Sequence, residues 1–227
     1  MNEPMAVTAD EATLREQASN EAHVRTALQA ARLPLAIQRA REKASNLKPD
    51  SAADLLVRAS QRAPTVVQRV LWLHKAAIAW SKPIAAVAAC RKGCAHCCHI
   101  PVTISSREAK LISAATHRKL QEPARSVRLR DFEEADSTAA ASTTLQHWGT
   151  STACPFLVDD ACGIYASRPL SCRVLFNLDD DDLLCQHGAH EPAVVPYADS
   201  RMIRALALAA QPSEQFADIR DFFPPAS

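Results

Sequence analysis

Cys90, Cys94, Cys97 and Cys98 fall within nine residues, in the run Cys90-Arg-Lys-Gly-Cys94-Ala-His-Cys97-Cys98-His99. Thiolates gripping one tetrahedral metal at about 2.3 Å bring their sulfurs to roughly 3.8 Å of one another, which near neighbours in a tight loop can do. Gly93 permits a positive φ between the first two, and Cys98, adjacent to Cys97, must point elsewhere or toward a second metal. Cys154, Cys162, Cys172 and Cys185 follow, and they either complete the same site or build a second one with four ligands. Cysteines used as small buried hydrophobes do not cluster this way, and disulfides do not persist in the reducing compartment expected for this chain. All eight are therefore candidate metal ligands.

The neighbours fit the same chemistry. Four cysteinates on Zn²⁺, or on an oxidised cubane cluster, leave a net charge of about −2 that basic side chains offset. Arg91, Lys92, Arg168 and Arg173 are placed to do so, the alternative being solvated charge for the first two and ion pairs with Asp159, Asp160 or the Asp179–Asp182 run for the arginines. His96, His99, His187 and His190 flank cysteines and are candidate ligands or hydrogen-bond donors to ligands, although a lone histidine is more often structural. The four-aspartate run could hold a hard cation but is expected to be a solvated loop.

These residues need elements to position them. Residues 1–63 read as two or three polar amphipathic helices punctuated by Pro34 and Pro49, with Leu14, Ala18, Leu28 and Ala31 striping the first. Leu55, Leu56 and Ala59 stripe the third, with Ser51 as its N-cap. The segment from Pro64 to Ile78 reads as the first core helix, through Val66, Val67, Val70, Leu71, Leu73, Ala77 and Ile78. Behind the cysteine run, Ser105 and Glu108 have the spacing of a capping box opening a helix with Leu111, Ile112 and Ala115 inward. Another helix is expected over 126–148, then two short strands around an Asp159-Asp160 turn. A helix capped by Asp199 with Met202, Ile203, Leu206 and Ala210 follows, and a last short helix at Phe216 and Ile219. The expected fold is mainly α with a small β-hairpin and an irregular cysteine-rich core, helix-dominated α+β. It divides into an N-terminal helical extension (1–63) and a cysteine-cluster domain with C-terminal helices (64–227).

Composition supports this and excludes much else. The 227 residues include 43 alanines against 4 glycines. Alanine loses no side-chain entropy in a helix, while doubly wound nucleotide-binding folds need glycine turns that this chain lacks. Twenty-six basic against 25 acidic residues give +1 at pH 7, so no field-driven attraction to nucleic acid or anionic lipid is expected. No apolar run reaches the roughly 18–20 residues that span a bilayer, and Met1–Asp10 carries Glu3 and Asp10 rather than a secretory signal. A cytoplasmic location follows as an expectation.

The pattern Cys90-x3-Cys94-x2-Cys97-Cys98 is followed by Pro101-Val102, a capped helix, Cys154-Pro-Phe-Leu, Cys162-x-Ile164-Tyr165, Arg168-Pro169 and Cys172-Arg173. In combination these residues resemble the YkgJ-type cysteine-cluster family, described as chelating zinc or iron, over about residues 85–175. Ala161 stands where that family usually has glycine. The resemblance implies metal binding. Flagellin lysine N-methylases carry a similar cluster, so the related alternative is an iron-sulfur, S-adenosylmethionine-dependent protein methyl transfer. A third reading is a metal-stapled interaction module whose N-terminal helices dock a protein partner. The Cys90-x3-Cys94-x2-Cys97 spacing is also that of radical S-adenosylmethionine enzymes, but those place the loop after the first strand of a barrel, whereas here it follows helical sequence. The expected cofactor is an iron-sulfur cluster, [4Fe-4S], or zinc, with iron-sulfur favoured because structural zinc prefers closed pairs of CxxC.

Overall fold

The computed structural model describes residues 9–48, 50–132, 152–186 and 193–223. Helices dominate, as the alanine excess requires: α1 (Ala9–Asn46), α2 (Ser51–Arg62), α3 (Val66–Ala85), α4 (Ser106–Thr116), α5 (Leu170–Arg173), α6 (Arg201–Ala209) and α7 (Ile219–Phe222). Strands β1 (Thr103–Ser105), β2 (Leu157–Val158), β3 (Ala161–Cys162) and β4 (Phe216–Asp218) form two antiparallel pairs, β1 with β4 and β2 with β3. The β2–β3 hairpin is the one expected. Asp159 and Asp160 both adopt positive φ (46° and 54°), the two-residue turn whose twist matches its strands, and aspartate tolerates it.

Three apolar clusters carry the packing. Leu73, Ala76 and Ala77 of α3 meet Leu170, Val174 and Ile203. Val102, Ile104, Ala109, Ile112, Phe156, Ile164, Ile219 and Phe223 form the second cluster, against which Cys154, Cys162 and Cys172 pack. A third joins Ala40 and Ile84 to Phe176, Leu178 and Ala198, with Cys90 at its margin. Buried alanines let helix backbones approach closely, which is how the alanine bias becomes packing rather than propensity alone.

The caps are where local sequence spoke most clearly. Ser105 Oγ accepts from Glu108 N at 3.0 Å while Glu108 Oε2 accepts from Ser105 N at 3.3 Å, the reciprocal capping box expected for α4. In α2 the cap is Asp50 rather than Ser51, its Oδ1 accepting from Ala52 N at 2.8 Å. Asp199 Oδ1 accepts from Arg201 N at 3.1 Å at the start of α6, where Ser200 is the capping residue.

Several expectations are corrected. Pro34 does not punctuate: α1 is a single helix running through it. A mid-helix proline costs about 3 kcal/mol, and ion pairs hold the helix on both sides of it, Arg32 before and Arg39 and Lys43 after. The face of α1 that docks is not the Leu14, Ala18, Leu28 and Ala31 stripe, which faces solvent. It is Gln29, Arg32, Ala36, Arg39, Ala40 and Lys43, a mostly polar stripe of the same helical period. Leu55, Leu71, Ile78 and Met202 also face solvent, and so does Ala115 of α4, whose buried positions are Glu108, Ala109 and Ile112. The helix expected over 126–148 does not begin at 126: Val127 bridges Phe216, with N···O distances of 3.0 and 2.7 Å, and Leu129–Phe132 is a single 3-10 turn. Residues 133–148 of that expectation lie outside the described residues. Phe216 belongs to β4, and the last helix starts only at Ile219, because Phe216, Ala217 and Asp218 pair with β1 and are all buried. A three-residue strand buried on both faces has no alternation by which to be read.

Candidate metal centre

The loop that carries the first four cysteines leaves the end of α3 and is folded by its own backbone. Cys94 N donates to Arg91 O at 3.1 Å across Gly93, whose φ is 85°, so the glycine has the conformation that the spacing calls for. His96–His99 then forms a 3-10 turn, with Cys98 N donating to Ala95 O at 2.8 Å. The loop is tied to the rest by its carbonyls: Cys98 O accepts from Cys154 N at 2.7 Å, joining the first cysteine group to the second.

Arg220 provides the other tie, and nothing in the cysteine spacing points to it. Its guanidinium donates to Cys98 O at 3.0 Å, Ile100 O at 3.2 Å and Thr152 O at 2.8 Å, and pairs with Asp218 at 3.0 Å. Asp218 Oδ2 in turn accepts from Val102 N at 2.7 Å. The ion pair is almost wholly buried. A signal did exist in the sequence, in that Asp218 caps α7 with Arg220 two residues on, but only the β1–β4 pairing brings that pair beneath the cysteine loop.

From the other side, Asn177 reaches two thiols. Its backbone N donates to Cys90 Sγ and its Nδ2 to Cys185 Sγ, both at 3.4 Å, while Asn177 O accepts from Ala89 N. Cys90 and Cys185 are thus brought together although 95 positions separate them. The thiols sort into two overlapping groups that do not follow chain order. Cys90, Cys94 and Cys185 influence one another, with Cys97 beside them. Cys98, Cys154, Cys162 and Cys172 form the second group, and Cys97 neighbours that one too. No disulfide joins any of them.

Burial, then the nearby thiols, pushes Cys185 up to about 12 and Cys172 well above the ordinary thiol range. Burial also raises Cys90 and Cys154. Cys97 is the exception: the hydrogen bond donated by the Cys98 thiol lowers it to about 7, and the same bond raises Cys98. Arg168 acts against the general trend at Cys90, Cys97 and Cys172. Its guanidinium stacks on Tyr165 at 4.2 Å, and its buried Nε finds no acceptor among the described residues. Arg173 likewise lies near Cys172, with Nη2 donating to Ala166 O at 2.6 Å. Neither arginine pairs with Asp159, Asp160 or the aspartate run among the described residues. Arg91 pairs with Asp182 at 2.9 Å.

The aspartate run is neither a free solvated loop nor a carboxylate cage. Arg32 grips Asp179 with two bonds of 3.0 Å and Asp181 with one of 3.1 Å, Arg39 and Lys43 pair with Asp180, and Lys43 also donates to Asp179 O. Gln29 donates to Leu183 O and Gln186 O at 2.8 and 2.6 Å. Helix α1 therefore straps down the segment that carries Asn177, Asp182 and Cys185. His187 and His190 lie outside the described residues. His96 does sit in the centre, its Nε2 3.2 Å from Asp182 Oδ2, and Cys94, His96 and Asp182 place one ligand atom each within 4.8 Å of one another.

Converging soft thiols whose ionisation burial opposes, with buried guanidinium charge against them, fit a thiophilic cation of the zinc or iron type. The class is thus a helix-dominated protein with a clustered-thiol region. Residues 89–192 match the family model CxxCxxCC, described as a "putative zinc- or iron-chelating domain". No curated protein and no solved structure matches the chain. No helix among the described residues is long and apolar enough to cross a membrane.

Proposed function

We propose that this protein chelates iron, as an iron-sulfur cluster, or zinc, with ligands drawn from Cys90, Cys94, Cys97, Cys98, Cys154, Cys162, Cys172 and Cys185. The observation that carries the reading is the gathering of thiols from three separate stretches into one neighbourhood, fastened by Asn177 on one side and by Arg220 and the Cys98–Cys154 hydrogen bond on the other. A cation binding there offsets the burial, and then the neighbouring thiols, that oppose ionisation of Cys172 and Cys185. Arg168 and Arg173 offset the surplus negative charge of a multi-thiolate centre, and Asn177 donates to its sulfurs, which tunes such centres. A bound cluster would supply one-electron chemistry or a Lewis-acidic iron, and zinc a redox-inert staple.

Iron-sulfur is the favoured form because the ligands come from one dense loop and several irregular segments rather than from paired CxxC knuckles. Anaerobic purification followed by metal and acid-labile sulfide determination tests this. Iron with stoichiometric sulfide and a visible charge-transfer spectrum is expected. Zinc without sulfide would replace the cluster with a zinc site, and colourless protein with less than one equivalent of any metal would overturn the proposal.

A further inference from the structure

We infer that Cys94, His96 and Asp182 form a mixed-donor site for one divalent borderline cation, zinc or ferrous iron, separate from a thiolate centre built around Cys98, Cys154, Cys162 and Cys172. This rests on the metal-chelating reading above and divides its ligands. The three donor atoms lie within 4.8 Å of one another. His96 Nε2 and Asp182 Oδ2, 3.2 Å apart, have about the edge length of a tetrahedron with bonds of roughly 2.0–2.1 Å.

The two groups of donors differ in charge. One thiolate and one carboxylate neutralise a divalent cation, whereas four thiolates leave about −2. Arg173 lies near Cys172 of the thiolate group, and Arg168 acts on Cys172 as well as on Cys90 and Cys97. Beside the mixed group, Arg91 pairs with Asp182 and is itself mostly exposed, so its charge is largely shared with solvent.

The donors are also held by their surroundings. Asp182 Oδ1 accepts from Gln186 Nε2 at 3.3 Å, and Cys185 N donates to Asp182 O at 2.9 Å, so the carboxylate sits on a fixed turn. Cys94 is set by the Gly93 turn and His96 by the 3-10 turn that follows it. Helix α1 pins the Asp182 segment through Gln29 and Arg32.

Three protein ligands leave a tetrahedral ion one further position. A cavity of about 180 Å³ lies next to the site, lined by His96, Cys97, Cys185, Gln186 and Tyr197 among others. It has room beside the imidazole for water or a small anion. A closed structural site carries four protein ligands, and an open position is the mark of a site that exchanges ligands.

The test is anaerobic titration of the metal-free full chain with Co²⁺, whose thiolate-to-cobalt absorption strengthens with each sulfur ligand. Wild type should take up at least two equivalents, one with strong and one with weak sulfur absorption. The double variant His96→Ala with Asp182→Asn should take up one equivalent fewer and keep the strong band, with its far-ultraviolet circular dichroism unchanged. Cys172→Ser should show the reverse, a weakened strong band with the weak one retained. If the double variant proves unfolded, His96→Gln, a substitution at a half-buried side chain, replaces it with the same expectation. Equal uptake and unchanged spectra in wild type and the His96 variants would overturn the mixed site while leaving metal chelation intact, and no uptake by wild type would overturn both.

Discussion

Arg220 holds more of the cysteine loop than any other single side chain described, because one guanidinium answers three carbonyls and a buried carboxylate. Truncating it leaves Asp218 buried without its partner, and removing one member of a buried pair costs about 3–5 kcal/mol. Arg220→Ala is expected to lower the urea midpoint accordingly and to weaken metal retention. Arg220→Lys should restore only part of both, since an ammonium cannot span the same acceptors. Glu108 is the second residue of this kind. Burial alone would raise its carboxyl, but the His74 bond at 2.8 Å and the Leu170 and Ser105 backbone donors hold it below the usual carboxylate range. The stability it supplies is thus present above the ordinary glutamate pKa and lost as pH falls through the depressed one. Unfolding free energies of wild type and Glu108→Gln measured from pH 7 down to pH 2.5 should therefore converge at the acid end.

At the scale of elements, α1 is a strap whose grip is unequal along its length. Arg32 faces Asp179, whose side chain is completely buried, whereas Arg39 and Lys43 meet Asp180 near the surface. Losing the partner of a buried charge costs about 3 kcal/mol or more, and a surface pair contributes about 1 kcal/mol or less. Arg32→Ala should thus destabilise far more than Arg39→Ala or Lys43→Ala, and added salt should reduce only the latter two effects, as read from urea titrations at low and high ionic strength. Hydrogen exchange should report the loosening first at the amides of 177–186, the segment α1 holds. The outward residues of the same helix predict the converse: Leu28→Asn, at a position 54 % exposed, should change stability by no more than about 0.5 kcal/mol.

For the whole molecule, the distribution of apolar packing predicts how it responds to metal loss. Helices α2, α3 and α6 pack through a cluster of Leu73, Ala76, Ala77 and Ile203 that Leu170 and Val174 of the cysteine region join at one side, so most of it is apolar packing that involves no thiol. The cysteine region depends on short strands, 3-10 turns and thiols at the core margin, so binding energy there is also folding energy. Stripping the metal with an added chelator should deprotect amides over 89–106 and 152–186 in hydrogen exchange while those of α3 stay slow. Uniform deprotection, or none, would show that the metal does not staple this region.

The cysteine run, the hairpin at Asp159-Asp160, the α4 capping box and the helical bias were legible because each is a local instruction: a spacing, a turn residue, a cap or a propensity acting over a few residues. From these comes the resemblance to a cysteine-cluster family, and with it the expectation of zinc or iron. Which thiols become neighbours was not local. Cys90 and Cys185 share Asn177, Cys98 and Cys154 share a backbone bond, and Asp182 lies beside His96 on a segment that Arg32 and Gln29 hold against α1. Nor did the sequence disclose that the docking face of α1 is its charged one, since periodicity finds apolar stripes and an ion-paired stripe is legible only beside its partner. The residues themselves determined that the chain is helical and thiol-rich. Tertiary structure decided how its donors are grouped, because burial and long-range pairing set which charges share a neighbourhood.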